Sequence, residues 1–170
     1  WVWQTYIHQL VLSKMNEGDI YHWCDVGCHF NIKGVSRLRD YIDLVVNDKN
    51  GFLFFSYKEP EFKKKLINYK FPKNLEFEYT KSDLIKYFNL SFNDEIIQTP
   101  QVWGGSFFLR KCQISQDLMK KHHDITRHRY DLIDDDKNKF VEKTFPGFIS
   151  HRHSQSVLSI LAKKINCNFL

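Results

Sequence analysis

The sequence has few cysteines, no long apolar stretch and only one tight run of basic residues. Its four cysteines, at positions 24, 28, 112 and 167, form neither a CxxC pair nor a disulfide framework, which favours a reduced, cytoplasmic setting. No segment of about 20 apolar residues occurs and the first residues lack a signal-peptide pattern, which argues against a spanning helix and against secretion. Peripheral contact with the inner face of a membrane stays open.

The small excess of basic residues argues against a dedicated nucleic-acid-binding protein and excludes few other classes. There are 25 Lys and Arg residues against 20 Asp and Glu residues. The tight basic run at 63–65 lies beside Glu59 and Glu61, so it indicates a solvated surface, and we expect no nucleic-acid partner. The 42% hydrophobic and 16% aromatic content predicts a single domain over 1–170, with aromatic rings to spare for a pocket that stacks sugars.

Apolar periodicity and turn residues predict alternating helices and strands. Helices are predicted over 1–15, 36–47, 115–129 and 154–165, and strands over 19–24, 52–57, 96–102 and 106–110. A further short helix, which Thr80 or Ser82 can cap, is predicted to run through Phe88. The charged segment 58–74 indicates a surface excursion or a flexible loop that binds an acceptor. This order predicts an α/β fold with a mixed sheet flanked by helices.

Asp25 follows a predicted strand and precedes Gly27, at a sheet edge of the kind where α/β proteins bind ligands. A carboxylate there can hold a divalent cation against a diphosphate, and the glycine lets a ligand approach the backbone. The alternative is an ordinary turn at the end of a strand. Asp19, His22 and His29 lie in the same short strand and turn, and they favour the metal site.

Gly104 and Gly105 lie between two predicted strands, within the segment 101–106 (QVWGGS). Glycines at such a position let the backbone bend sharply or meet a ligand with no side chain in the way. A β-bulge or a tight hairpin explains the pair equally well.

The segment 151–156 (HRHSQS) precedes a predicted helix that its two serines can cap. The N-terminus of such a helix suits a phosphate, and Arg152 can pair with phosphate oxygens. His151 and His153 can ligate metal or transfer protons. Because alternate residues of an extended segment point to opposite sides, we expect only one of these histidines to reach a given ligand. The simpler alternative is a capped helix with a basic entry loop.

Two further polar clusters are interpreted as surface. The three aspartates at 134–136 are typical of a solvated turn, with a second carboxylate cluster as the alternative. His122, His123 and His128 lie on a predicted helix without the Cys or Asp spacing of a closed zinc site, so we expect them to face solvent.

Four segments, in chain order, resemble motifs of a family of bacterial and viral polysaccharide-type glycosyltransferases. They are 1–7 (WVWQTYI), 18–31 (GDIYHWCDVGCHFN), 101–108 (QVWGGSFF) and 151–161 (HRHSQSVLSIL). The family patterns look like WIWKPYI, GDIxxYxDxGC, WxGxFFxxK and HRHDQSVxSLL. The order is also similar to that of retaining GT-A transferases of the glycogenin and galactosyltransferase type.

The resemblance implies a GT-A-like, Rossmann-like fold that transfers a sugar from a nucleotide-sugar donor to a glycan or lipid-linked acceptor in surface polysaccharide synthesis. It implies that Asp25 contacts the nucleotide diphosphate and a divalent metal, Mn²⁺ or Mg²⁺. It places Trp103, Gly104 and Gly105 where the donor sugar approaches, and Gln155 beside the reacting centre as a second catalytic residue.

In this interpretation, Arg152 and His151 bind the donor diphosphate, and His153 joins Asp25 at the metal. The resemblance also implies that a nucleotide-binding βαβ region precedes the tryptophan-rich first helix, so that 1–170 lacks most of the nucleotide pocket. Contact with a membrane surface would fit a lipid-linked acceptor.

Two positions depart from the family pattern. Position 27 is glycine where GT-A enzymes generally have a second aspartate, and position 154 is serine where the family has aspartate. Serine cannot replace a carboxylate as base or nucleophile at neutral pH. Two alternatives therefore stay open: a sugar- or nucleotide-binding module without turnover, and a metal-dependent phosphoesterase that uses Asp19, Asp25, His29 and His153.

Overall fold

A four-stranded sheet forms the centre of the molecule. The computed structural model describes residues 2–57, 73–139 and 143–170. The strands are β1 (Ile20–Cys24), β2 (Phe52–Ser56), β3 (Val102–Arg110) and β4 (Asn168–Phe169), in the spatial order β1-β3-β2-β4. β3 is antiparallel to β1 and β2, whereas β2 and β4 are parallel. The predicted α/β class with a mixed sheet is confirmed.

Helices cover both faces of this sheet. The described residues form α1 (Val2–Lys14), α2 (Val35–Asn47), α3 (Glu76–Tyr79), α4 (Ser82–Tyr87), α5 (Glu95–Gln98), α6 (Gln113–His128) and α7 (His153–Lys164). No helix among these residues is long and apolar enough to cross a membrane. The four longer predicted helices correspond to α1, α2, α6 and α7, with ends that differ by at most two residues. The short helix predicted through Phe88 corresponds to α4, although Lys81 and not Thr80 or Ser82 is its N-cap residue.

The core follows from the alternation of side chains along the strands. Phe52 and Phe54 point to the face covered by α1, α6 and α7, whereas Leu53 between them packs with Val45 of α2 on the other face. All three side chains of this strand are fully buried. Burying a large apolar side chain contributes roughly 1.5–3 kcal/mol, so β2 anchors both layers of the fold.

The predicted strand at 96–102 is wrong. Residues Glu95–Gln98 form α5, and β3 begins only at Val102. The apolar pair at 96 and 97 is too short to distinguish strand from helix by periodicity. The carbonyl of Asp94 accepts hydrogen bonds from the N–H groups of Ile97 and Gln98, and this closes a helical turn instead.

The strand predicted at 106–110 begins earlier, at Val102, and β3 runs through Gly104 and Gly105 without interruption. The register of β3 against β2 shifts between these positions, because Phe54 pairs with Phe107 whereas Phe55 pairs with Trp103. The residues in between lie opposite no residue of β2, which is an irregularity of the β-bulge type. The hairpin alternative is therefore wrong, and a bulge accounts for the glycine pair.

The four cysteines are free thiols, as the spacing predicts. The surface excursion predicted at 58–74 and the basic run at 63–65 lie outside the described residues, apart from positions 73 and 74.

Candidate functional site

A cleft of about 380 Å³ lies beside the end of β1. It is lined by residues 25, 104, 105 and 151–155 together with Gln4, His122 and Leu158. Apart from Trp103, every predicted site residue is therefore part of its wall. Residues as far apart in the chain as Gln4 and Leu158 meet here, because β1 pairs with β3 and α7 packs against β3.

Asp25 is placed by a backbone contact to the bulge of β3. Its N–H donates to the Gly105 carbonyl at 2.8 Å, which continues the pairing of β1 and β3 by one residue. One carboxylate oxygen, Oδ1, accepts a hydrogen bond from Trp23 Nε1 at 3.1 Å. The other oxygen, Oδ2, has no donor among the described residues, and the residue is exposed. Asp25 can therefore offer this oxygen to a cation or a hydroxyl group.

Packing leaves little room for a side chain at either glycine of the bulge. A Cβ on Gly105 would lie 2.6 Å from the indole ring of Trp103, and a Cβ on Gly104 would lie 3.1 Å from Gln155 Cγ. Trp103 thus packs over Gly105 instead of lining the cleft, unlike the sugar-binding position predicted for it. Gly104 N–H donates to Gln155 Oε1 at 3.1 Å and joins the cleft floor to α7.

Arg152 lies at the wall of the cleft between aromatic rings. Its guanidinium carbon is 3.9 Å from the ring centre of Tyr79 and 4.7 Å from that of Tyr57, and Nη2 donates to Asn74 Oδ1 at 3.2 Å. Such cation–π contacts orient the guanidinium without neutralising it. Arg152 therefore adds a fixed positive charge to the wall of the cleft that Asp25 also lines.

Both ring nitrogens of His151 are engaged within the protein. Nδ1 accepts a hydrogen bond from the Lys81 N–H at 3.3 Å, and Nε2 donates to the Leu132 carbonyl at 3.0 Å. Burial and the nearby His153 lower the pKa of His151 to about 3, so the ring is neutral at pH 7. Its nitrogens cannot ligate metal or transfer protons in this arrangement, and the predicted contact of this ring with diphosphate is correspondingly weakened.

His153 begins α7 with a positive φ of 49°. Its Nδ1 donates to the Ile133 carbonyl at 2.7 Å, and its Nε2 lies 3.4 Å from an oxygen of Asp135. The rings of His151 and His153 are 5.6 Å apart and both line the cleft, so the expectation that they face opposite sides is wrong. The chain is turned at His153 and not extended, which brings the rings together.

The serines predicted to cap α7 are buried inside it instead. Arg152 occupies the N-cap position, without a side-chain cap bond, and both Ser154 and Ser156 are buried. Ser156 Oγ donates to the Tyr79 carbonyl at 2.8 Å. These serines attach α7 to the core, so the N-terminal end of the helix remains at the cleft wall.

His122 was expected on the surface and is instead buried at the cleft. Its Nε2 donates to the Ser154 carbonyl at 2.9 Å, and burial lowers its pKa to about 4. The sequence carries a signal for this position, because Leu118, Met119, His122 and Ile125 follow the helical period of the inward face of α6. His123 is partly buried and contacts Thr5 Oγ1, whereas His128 is exposed as expected.

The aspartates at 134–136 are not uniformly solvated. The side chain of Asp134 is 10% exposed and accepts hydrogen bonds from Lys81 Nζ at 2.6 Å and from Lys139 Nζ at 2.9 Å. Burial opposes ionisation of Asp134, but these two lysines hold its pKa below the usual value. Asp135 and Asp136 are exposed, so the solvated turn is confirmed only for them.

Two residues of the alternative phosphoesterase set do not line this cleft. An oxygen of Asp19 accepts the Asn16 N–H at 2.7 Å, and His29 lines a separate apolar pocket beside α2. No group of three or more His, Cys, Asp or Glu side chains within the described residues is placed to hold a metal ion.

The cleft therefore offers one carboxylate oxygen, one oriented guanidinium and the N-terminal end of a helix, which together suit an anionic ligand that also carries hydroxyl groups. No family model, no curated protein sequence and no solved structure matches this chain. The geometry of the cleft and the motif resemblance are therefore the two features that point to a function.

Proposed function

We propose that the chain is a glycosyltransferase domain of GT-A-like type that transfers a sugar from a nucleotide-sugar to a glycan or lipid-linked acceptor. The observation that carries the proposal is the convergence of Asp25, the Gly104–Gly105 bulge and Arg152–Gln155 on one cleft. The motif resemblance predicts this convergence from segments that are far apart in the chain. We place the reaction on the cytoplasmic side of a membrane, in surface polysaccharide synthesis.

The charges of the cleft fit the diphosphate of a donor. Arg152 supplies a fixed cation, and the N-terminal end of α7 adds its partial positive charge. A Mn²⁺ or Mg²⁺ ion held by Asp25 Oδ2 would neutralise the leaving diphosphate as a Lewis acid. Mg²⁺ commonly binds through one or two carboxylates plus substrate phosphates, so a single protein carboxylate is compatible with this role.

A binding module without turnover is the second candidate. Asp25 provides the only carboxylate among the described residues that line the cleft, and position 154 carries a buried serine. If Asp25 holds the metal, no described carboxylate of the cleft remains to act as base. The variant Ser154→Asp separates the candidates, because gain of sugar transfer in this variant alone indicates a site that binds but does not turn over.

Calorimetric titration with a panel of UDP-, GDP-, CDP- and dTDP-sugars, with and without Mn²⁺, tests the proposal. We expect metal-dependent binding of at least one donor, and we expect Asp25→Asn to weaken it by about tenfold or more because a charged contact is lost. Asp43→Asn, which removes an exposed carboxylate on α2, is the matched control and should bind normally. Absence of binding by the whole panel, or equal binding by Asp25→Asn, contradicts the proposal.

A further inference from the structure

A buried polar network lies directly beneath the cleft, centred on a carboxylate that is 0% exposed. Oε1 of Glu76 accepts hydrogen bonds from Thr80 Oγ1 at 2.7 Å and from Gln101 Nε2 at 3.1 Å. Oε2 accepts from Lys163 Nζ at 2.7 Å and from the hydroxyl of Ser159. Glu76 therefore has donors on both oxygens and a paired cation, as a buried charge requires.

The network reaches the cleft through two consecutive amide groups. Gln155 Nε2 donates to Gln101 Oε1 at 2.9 Å, and Gln155 Oε1 accepts the Gly104 N–H at 3.1 Å. Gln101 is fully buried, whereas Gln155 is partly exposed and lines the cleft. The contacts thus run from the Glu76 carboxylate through Gln101 to Gln155 and end at the bulge of β3.

The chemistry at the two ends fixes the direction of every hydrogen bond in this series. An ionised carboxylate only accepts, so Gln101 must present its NH₂ group to Glu76 and its carbonyl to Gln155. A backbone N–H only donates, so Gln155 must present its carbonyl to Gly104. Rotating either amide by 180° would place donor against donor or acceptor against acceptor in a buried setting.

This polarity leaves Gln155 with an N–H group to offer a ligand. Its carbonyl oxygen accepts from Gly104, and one of its two amide hydrogens is donated to Gln101. No second protein acceptor for Nε2 occurs among the described residues, so the remaining N–H can face the cleft. An N–H donor at this place recognises an acceptor oxygen, and it cannot serve as a base or a metal ligand.

We propose that Gln101, oriented by Glu76, is a positioning residue that holds Gln155 as an N–H donor to an acceptor oxygen of the cleft ligand. The proposal rests on the proposed function, in which this oxygen belongs either to the diphosphate or to the sugar of the donor. Neither Gln101 nor Glu76 touches the ligand. They act through the orientation of the Gln155 amide.

The first test needs no ligand. In nitrogen-15 NMR spectra, we expect the two side-chain amide hydrogens of Gln155 to exchange with solvent at different rates, because only one is bonded to Gln101. Gln101→Met keeps the length of the side chain but removes its amide, and it should abolish this difference. Equal exchange of the two hydrogens in the wild type, or an unchanged difference in Gln101→Met, overturns the proposal.

The second test is a double-mutant cycle on ligand affinity. The ligands are a nucleotide-sugar from the panel that binds and the nucleoside diphosphate without its sugar, such as a UDP-sugar and UDP. Gln101→Met should weaken binding by about 3- to 10-fold, the effect of one misplaced hydrogen bond. In the Gln155→Met background, Gln101→Met should cause no further loss, because its effect passes through Gln155. If the affinity losses of Gln101→Met and Gln155→Met multiply in the double variant, the proposal is contradicted.

The two ligands also identify the oxygen that Gln155 contacts. Weaker binding of both ligands to Gln101→Met assigns this oxygen to the diphosphate, and weaker binding of the nucleotide-sugar alone assigns it to the sugar.

Asn50→Leu is the matched control for stability. Asn50 is a buried amide that bonds the carbonyls of Ile165 and Asn166 away from the cleft. Asn50→Leu should lower the midpoint of unfolding without changing the affinity for the nucleotide-sugar. If Asn50→Leu and Gln101→Met lose the same affinity, the effect is a general structural one and the proposal is overturned. A wild type that binds no nucleotide-sugar refutes the transferase assignment and the ligand contact, while the exchange measurement still decides whether Gln101 orients Gln155.

Discussion

Mild acid should unfold this domain through three buried histidines. His8, His122 and His151 are neutral in the fold, because burial is the largest cause that lowers their pKa values, to about 3, about 4 and about 3. In the unfolded chain the same rings have pKa values near 6.5. The stability associated with these neutral rings is thus complete above about pH 6.5 and is lost as the pH falls toward 4.

The size of the effect follows from proton linkage. Below the unfolded pKa, the unfolded chain binds up to three protons that the folded protein does not bind. Three such protons lower the free energy of unfolding by about 4 kcal/mol for each pH unit. Between about pH 6.5 and pH 5 the loss reaches about 6 kcal/mol, which is comparable with the whole stability of a typical domain, about 5–15 kcal/mol.

Urea unfolding measured as a function of pH tests this account. We expect the free energy of unfolding to fall steeply below about pH 6. His8→Gln should remove about one third of the slope, because one of three titrating rings is gone. His128→Gln is the control, since His128 is exposed on α6, and it should leave the slope unchanged. A free energy that stays flat between pH 7 and about pH 5 would refute the reasoning, because it would mean that these rings are solvated in the fold.

Two substitutions test the packing around the cleft. Gly104→Ala places a Cβ 3.1 Å from Gln155 Cγ, so we expect it to displace the Gln155 amide. Nucleotide-sugar binding measured by calorimetry should weaken by about tenfold, and the free energy of unfolding should fall by about 1 kcal/mol. Unchanged affinity would contradict this prediction. Lys163→Met leaves the Glu76 carboxylate buried without its cation and should destabilise the domain by about 3–5 kcal/mol in urea unfolding, whereas the neighbouring, exposed Lys164→Met should change stability little. Equal effects of the two lysine variants would contradict it.

The long elements of the fold are predictable because their periodicity is strong. α2 and α6 show apolar residues on one face, and β2 is an apolar run between turn residues. Of the short elements, α4 is predicted from the sequence, whereas α5 is not. α5 has one helical turn and an apolar pair that also fits a strand, so only its tertiary contacts decide its conformation.

The residues that line the cleft are easier to predict from the sequence than the buried residues that hold them in place. The positions of Asp25, Gly104 and Gln155 are marked by turn residues and by the motif resemblance. Glu76 carries no such mark, because a glutamate beside a charged segment is typical of surface, and its cation Lys163 lies 87 positions away. Buried ion pairs of this kind become visible only when the chain is folded.

The role of Trp103 illustrates a second limit. The motif resemblance implies that Trp103 lies where the donor sugar approaches, whereas the structure packs its ring over Gly105, two positions along the same strand. Alternation along a strand places residues i and i+2 on one face, but it does not say whether the large side chain turns toward the small one. The contact between the Trp103 ring and Gly105 therefore does not follow from the sequence pattern alone.

Paramagnetic broadening by Mn²⁺ tests the central claim most directly. In nitrogen-15 NMR spectra of the chain with a nucleotide-sugar from the panel that binds, trace Mn²⁺ should broaden the backbone amide signals of Asp25, Gly105 and His153 most strongly. These residues line one cleft, and Asp25 bonds Gly105 directly. Asp25→Asn should remove the broadening. Broadening centred on the exposed aspartates at 135 and 136, or no localised broadening in the presence of donor, would contradict a metal-assisted donor site at this cleft.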